Sequence, residues 1–203
     1  MFVSLSFITK GFFLKRIYIL LVSSATCNIF GAAELNYQPL CNAIARRDTQ
    51  AARTFIEKNG EMDIDYPLND RGHTPLQMAA LSGNEELARL FLDNGANIEA
   101  KTMTMGYTPL LCAAMKGHFN LISFLLNRGA DVNAANQHGS ALHMAVYFRR
   151  RDNIRLLLEY GIDIQITDSN GNTAAKIAQD DDYDDIAELI LSWGSDIKEP
   201  DVH

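Results

Sequence analysis

Four near-copies of one phrase pace most of this chain. Thr74-Pro75-Leu76-Gln77-Met78-Ala79-Ala80 returns as Thr108-Pro109-Leu110-Leu111-Cys112-Ala113-Ala114. It comes back in worn form as Ser140-Ala141-Leu142-His143-Met144-Ala145-Val146 and as Thr173-Ala174-Ala175-Lys176-Ile177-Ala178. The opening residues stand 34, 32 and 33 positions apart, and a glycine follows each by 21 residues: Gly95, Gly129, Gly161 and Gly194. Self-similarity at this period predicts an all-α solenoid of stacked helix pairs, each unit burying its apolar face on the next.

The phrase has a physical reason in each of its letters. Thr74 is suited to cap a helix, its side-chain oxygen accepting from a backbone N–H that the first turn leaves unpaired, and Pro75 loses nothing by lacking an N–H at the next position. A helix is therefore predicted to start at residue 75. Leu76, Ala79 and Ala80 fall on one face of it, and the alanines are small enough to admit a close neighbour. Gly83 and Gly117 turn the chain back into a second helix with Leu87, Leu90, Phe91 and Leu92 as its apolar stripe, matched one repeat later by Leu121, Phe124, Leu125 and Leu126. Gly95 can adopt the left-handed conformation that closes that second helix.

These motifs resemble the ankyrin repeat family. The resemblance implies five helix-turn-helix units with projecting hairpin fingers, at residues 35–66, 67–100, 101–134, 135–166 and 167–198, with a tail at 199–203. The first and last units are degenerate caps. The first is recognised by counting back from Gly95 to Gly60, which ends the run Ala51 to Asn59. The fourth lacks proline at 141, carries Arg149 at the turn glycine's place, and has a shorter finger; the fifth lacks proline at 174. The last two repeats are accordingly expected to open first.

The formal charge is −7, and since the first 33 residues hold three cations (Lys10, Lys15, Arg16) and no acid, the remainder carries −10. Such a surface repels phosphate backbones, which excludes nucleic acid as a partner. Lys15-Arg16, the apolar run Ile17 to Val22 and the small residues around Ala25 and Ala33 read as a secretory signal peptide, with the protein exported to a periplasm or secreted. Ile17 to Ala33 is also 17 uncharged residues, so a retained membrane anchor is the alternative, along with a misassigned start codon. Acylation of Cys27 is a variant of the export reading.

No nucleophile elbow, phosphate-cradling glycine loop or zinc-type His or Cys spacing occurs, so neither catalysis, nor a cofactor, nor a metal is expected. Cys41 and Cys112 belong to non-adjacent repeats and are not expected to bridge. His143 is assigned to holding finger and helix backbone together, and His118 to the turn. The charged turns, Arg149 to Arg151 and Asp180 to Asp185, are expected side by side as an exposed ion-pair network. Calcium binding by the acidic run is the sharper alternative, though it lacks the spacing of a calcium loop.

The family resemblance further implies a monomer that binds a protein partner on its concave side, through finger tips and the outward positions of the first helices. Carried over residue by residue, these positions are Asp70, Arg71 and His73 in the first finger and Met105 and Tyr107 in the second. On the helices they are Leu81, Met115, Tyr147 and Phe148, which with Met105 and Tyr107 form an apolar stripe where solvent favours polar residues. The competing reading puts Met115 or Phe148 into the core between repeats.

Overall fold

The computed structural model describes residues 35–196, so the leader and the tail lie outside the described residues. Five helix pairs follow one another: α1 (Gln38–Arg46) with α2 (Thr49–Lys58), α3 (Pro75–Ser82) with α4 (Glu85–Asp93), and α5 (Pro109–Lys116) with α6 (Phe119–Asn127). Then come α7 (Ala141–Tyr147) with α8 (Arg151–Glu159), and α9 (Ala174–Asp180) with α10 (Asp184–Asp196). The first helices pack on one another along one layer and the second helices along another. The first-helix layer is the tighter, because its facing positions are the fully buried alanines Ala79, Ala80, Ala113, Ala114, Ala145 and Ala178. No helix among the described residues is long and apolar enough to cross a membrane.

The phrase starts α3, α5 and α9 as its chemistry predicts. Thr74 Oγ1 accepts from the Gln77 N–H at 3.3 Å while Gln77 Oε1 accepts from the Thr74 N–H at 2.8 Å, a reciprocal cap. Thr108 and Thr173 accept in the same way from Leu111 and Lys176. The outer helices α2 and α4 are capped by Asp48 and Asn84. Leu87, Leu121 and Ile186 stand at equivalent positions of their outer helices and are all buried, each contributing about 1.5–3 kcal/mol of apolar transfer. Leu92 is only half-buried.

The same left-handed residue ends each inner helix and turns the chain, whether or not it is glycine. Gly83 and Gly117 have φ of 67° and 82°, while Arg47, Arg149 and Asp182 adopt 59°, 53° and 59° at the corresponding places. Glycine at 83 and 117 also makes room for the next repeat's side chain: a Cβ would fall 2.5 Å from the His118 ring at 83, and at 117 it would fall 2.6 Å from Arg150 Nε, which would have to swing aside. Arg149 carries the cost of its conformation, about 1–2 kcal/mol, but places its guanidinium 4.3 Å over the Tyr183 ring, which returns about 0.5–1 kcal/mol. Arg149→Gly is therefore expected to change stability by less than about 1 kcal/mol in chemical denaturation.

Fingers are closed at the base and tied to one another. Ala135–Asn136 (β1) pairs antiparallel with Gly139–Ser140 (β2), and elsewhere Leu68 N–H donates to the His73 carbonyl, Thr102 N–H to Tyr107 and Asp168 N–H to Asn172. Neighbours are joined through Asp65 to the Asn97 N–H, Glu99 to the Asp131 N–H and Asn133 to the Asp163 N–H. Two glycines depart from expectation. Gly194 does not close α10, which runs on to Asp196. Gly60 follows the C-cap Asn59 without a left-handed φ.

Candidate protein-binding surface

The outward residues of the inner helices are held at fixed height by the caps below them and the fingers beside them. Gln77 shows how. Its Nε2 donates to the carbonyls of Ala100 at 2.6 Å and Tyr107 at 2.9 Å, pinning the second finger to α3. His143, two repeats on, does the same with a ring: Nδ1 takes the Ser140 N–H at 3.1 Å, so Nε2 carries the proton and donates to the Asn172 carbonyl at 3.1 Å. Burial lowers the His143 pKa, overriding the Asn172 carbonyl and Asp168, which favour the cation, so the ring is neutral. His118 Nε2 lies 3.1 Å from the Leu81 carbonyl across adjacent turns, which places it with the turn.

The apolar stripe expected on this face is only partly outward. Leu81, Met115 and Tyr107 are half-buried and rest against the core, because the neighbouring first helix or finger covers them. Met105 at 45 %, Tyr147 at 42 % and Phe148 at 48 % exposure do face solvent, so Phe148 does not enter the core. Asp70 and Arg71 are exposed at the tip of the first finger, but His73 is not the contact residue expected of it. Its backbone N–H and Nδ1 both lie 3.1 Å from Asn69 Oδ1, which turns the ring inward, and burial together with Arg71 lowers its pKa.

Met105 belongs to a small cluster, with its Sδ 3.4 Å from His138 Nε2 and the Tyr107 ring stacked on His138 at 6.0 Å. Among the described residues no three His, Cys, Asp or Glu side chains gather where a metal would be held. Burial pushes the Cys112 thiol up to about 12, which removes it from nucleophilic chemistry at neutral pH. Cys41 is a free thiol too, half-buried on α1.

The charged turns meet, but not as a network. Arg151 pairs with Asp185 between repeats and Lys176 with Asp180 within α9, while Arg149 goes to the Tyr183 ring and Arg150 lies over the Gly117 turn. A guanidinium finds an aromatic face or a glycine ledge in place of a second carboxylate, and each exposed pair is worth only about 0–1 kcal/mol. Asp184 and Asp185 occupy the first turn of α10, where the helix dipole favours them.

Asp168 is the anchor that sequence reasoning missed. Buried at the base of the last finger, it accepts the N–H groups of Asn170 at 2.9 Å and Asn172 at 3.0 Å, and its Oδ2 takes the Tyr147 hydroxyl at 3.4 Å. Burial would raise its pKa, but the two N–H donors and His143 outweigh it and hold the carboxyl below its ordinary value. The Asp168-x-x-x-Asn172 spacing, repeated from Asn69-x-x-x-His73, is the signal that identifies it as a finger cap.

Helix pairs stacked through alanine-rich inner helices, with hairpin fingers tied edge to edge, define a repeat solenoid that presents side chains along its length. A family model described as ankyrin repeats (3 copies) matches residues 14–102, 99–168 and 140–201, and the chain belongs to the ankyrin repeat family. Ankyrin repeats are protein–protein interaction modules, generally non-catalytic. Among similar proteins, a transient receptor potential cation channel subfamily A member 1 homolog of Caenorhabditis elegans is 31% identical over 145 residues, 70% of this chain and 12% of that protein. The E3 ubiquitin-protein ligase hecd-1 of Caenorhabditis elegans is 34% identical over 163 residues, 79% of this chain and 5% of that one. Protein phosphatase 1 regulatory subunit 27 of Mus musculus is 42% identical over 57 residues, 28% of this chain and 37% of that protein. The chain thus spans a small part of the length of these relatives.

Proposed function

We propose that this chain binds a protein partner on its concave, first-helix face and performs no chemistry of its own. The observation that carries the reading is the exposure of Tyr147 and Phe148, adjacent large aromatics at 42 % and 48 %, at outward positions that Lys116 and Asp180 fill with charge in the neighbouring repeats. Large aromatics on a rigid frame give contact area with little ordering entropy lost on association. Affinity capture from the native compartment, with mass spectrometry, identifies the partner. Replacing Tyr147 and Phe148 together by alanine is then expected to weaken the purified pair by about tenfold or more, with the helical circular dichroism unchanged. Unchanged affinity removes the aromatic pair from the reading.

The identity shared with a phosphatase regulatory subunit favours one refinement, in which the partner is an enzyme that this chain regulates. Co-purification at fixed stoichiometry, with a change in that enzyme's rate, supports it. We place the encounter outside the cytoplasm, on the basis of the Lys15-Arg16 pair and the apolar run from Ile17. N-terminal sequencing of the native protein that begins at Thr26 or Glu34 supports cleaved export, and one that begins at Met1 supports a membrane-tethered scaffold.

A further inference from the structure

The outward positions of the inner helices change sign along the solenoid, and the exposed aromatics sit where they turn negative. Met115 and Lys116 of the third repeat are replaced by Tyr147 and Phe148 in the fourth and by Asp180 and Asp181 in the fifth. Of the neighbouring cations, Arg151 is paired with Asp185 and Lys176 with Asp180, while Arg149 is turned onto the Tyr183 ring and Arg150 over the Gly117 turn. Asp181 and Asp182 are exposed and take part in no ion pair among the described residues. Asp168, kept anionic by two backbone N–H groups, holds the Tyr147 hydroxyl and so fixes that ring beside a permanent negative charge. Burial raises the Tyr147 pKa, and Asp168 and Asp181 raise it further, as a negative potential over the ring requires. An aromatic face flanked by unneutralised carboxylates attracts a cation both through the ring quadrupole and through charge.

We infer that the partner presents a basic segment here, seating a lysine or arginine on Tyr147 and Phe148 with Asp168 and Asp181 as its counter-charges. The inference rests on the reading of the inner face as the binding surface. Lys116, at the place of Phe148 one repeat earlier, repels the same charge, so the basic part of the segment is confined to the fourth and fifth repeats.

The test is a fluorescence-anisotropy titration of full-length protein into a labelled peptide of alternating lysine and leucine, and into the same peptide with glutamate for lysine. Binding of the lysine peptide alone is expected, weakening as salt is raised. Tyr147→Leu with Phe148→Leu, which keeps apolar area but removes the ring faces, is expected to weaken it about fivefold. Asp181→Asn with Asp182→Asn should do likewise, whereas Glu159→Gln with Glu188→Gln, the same change of net charge on the outer helices, should stay within about twofold. Equal binding of the glutamate peptide, equal losses in both carboxylate variants, or no loss in any variant overturns the inference. So does self-association in sedimentation that Tyr147→Ala with Phe148→Ala abolishes, since a second copy is then the occupant. If the native partner needs Tyr147 and Phe148 yet tolerates Asp181→Lys, the cationic segment is refuted and the proposed function stands.

Discussion

His143→Ala is expected to lower stability by about 2–5 kcal/mol, because it leaves the Ser140 N–H and the Asn172 carbonyl without the ring that joins them, at roughly 1–3 kcal/mol for each buried group left unpaired. His143→Gln is expected to recover most of that loss at neutral pH. Gln77 already performs the equivalent task, accepting from Thr74 N–H and donating to the next finger. The parent chain and His143→Gln separate in acid. Burial depresses the His143 pKa, so near pH 7 the ring is neutral in both folded and unfolded chains and its stabilising contribution is complete. As pH falls below about 6.5, the unfolded chain takes up the proton first and stability falls. His143→Gln should flatten urea midpoints measured between pH 7 and 5, leaving the dependence contributed by His73, whose pKa burial and Arg71 also lower. A midpoint that falls as steeply in His143→Gln as in the parent chain would refute this assignment.

The repeat phrase made much of the backbone legible. Thr74, Thr108 and Thr173 cap their helices because a hydroxyl one residue before a helix has few better uses, and that local chemistry is written in order along the chain. The turns were legible only in part. Arg149 and Asp182 announce a missing glycine, but not that the backbone keeps its left-handed conformation regardless, since that is enforced by the helices on either side. Surface assignments were harder still. Whether Leu81 or Met115 faces water depends on how far the next first helix leans over it, which the alanines of another repeat decide. Tyr147 and Phe148 remain outward because the fifth repeat offers aspartates at the matching places, which stay solvated and do not cover them. Asp168 and His143 are partners in one finger base 25 residues apart, a pairing that emerges only when the finger folds back on the helix before it.

Asn153→Leu is expected to stabilise the chain by about 1–3 kcal/mol, the penalty of an unsatisfied buried amide. Asn153 stands 32 residues after Leu121, at the place that Leu87, Leu121 and Ile186 fill in the other repeats. It is 2 % exposed, and its side-chain nitrogen is the single buried side-chain polar atom among the described residues with no hydrogen-bond partner. Leucine has the same branching at Cγ, so two methyl groups replace the amide's oxygen and nitrogen, at a small cost in added volume. The consequence extends past its own helix. In a stack where each unit is held by its neighbours, a weak fourth repeat also loosens the fifth, whose two helices pack against it. Amide exchange of the parent chain should accordingly show α8 and α10 opening before α4 and α6, and Asn153→Leu should slow exchange in both α8 and α10 by about tenfold or more. Slower exchange in α8 alone would mean that the fifth repeat opens independently, and no change in either would place the weak point elsewhere, at the non-glycine turns of Arg149 and Asp182.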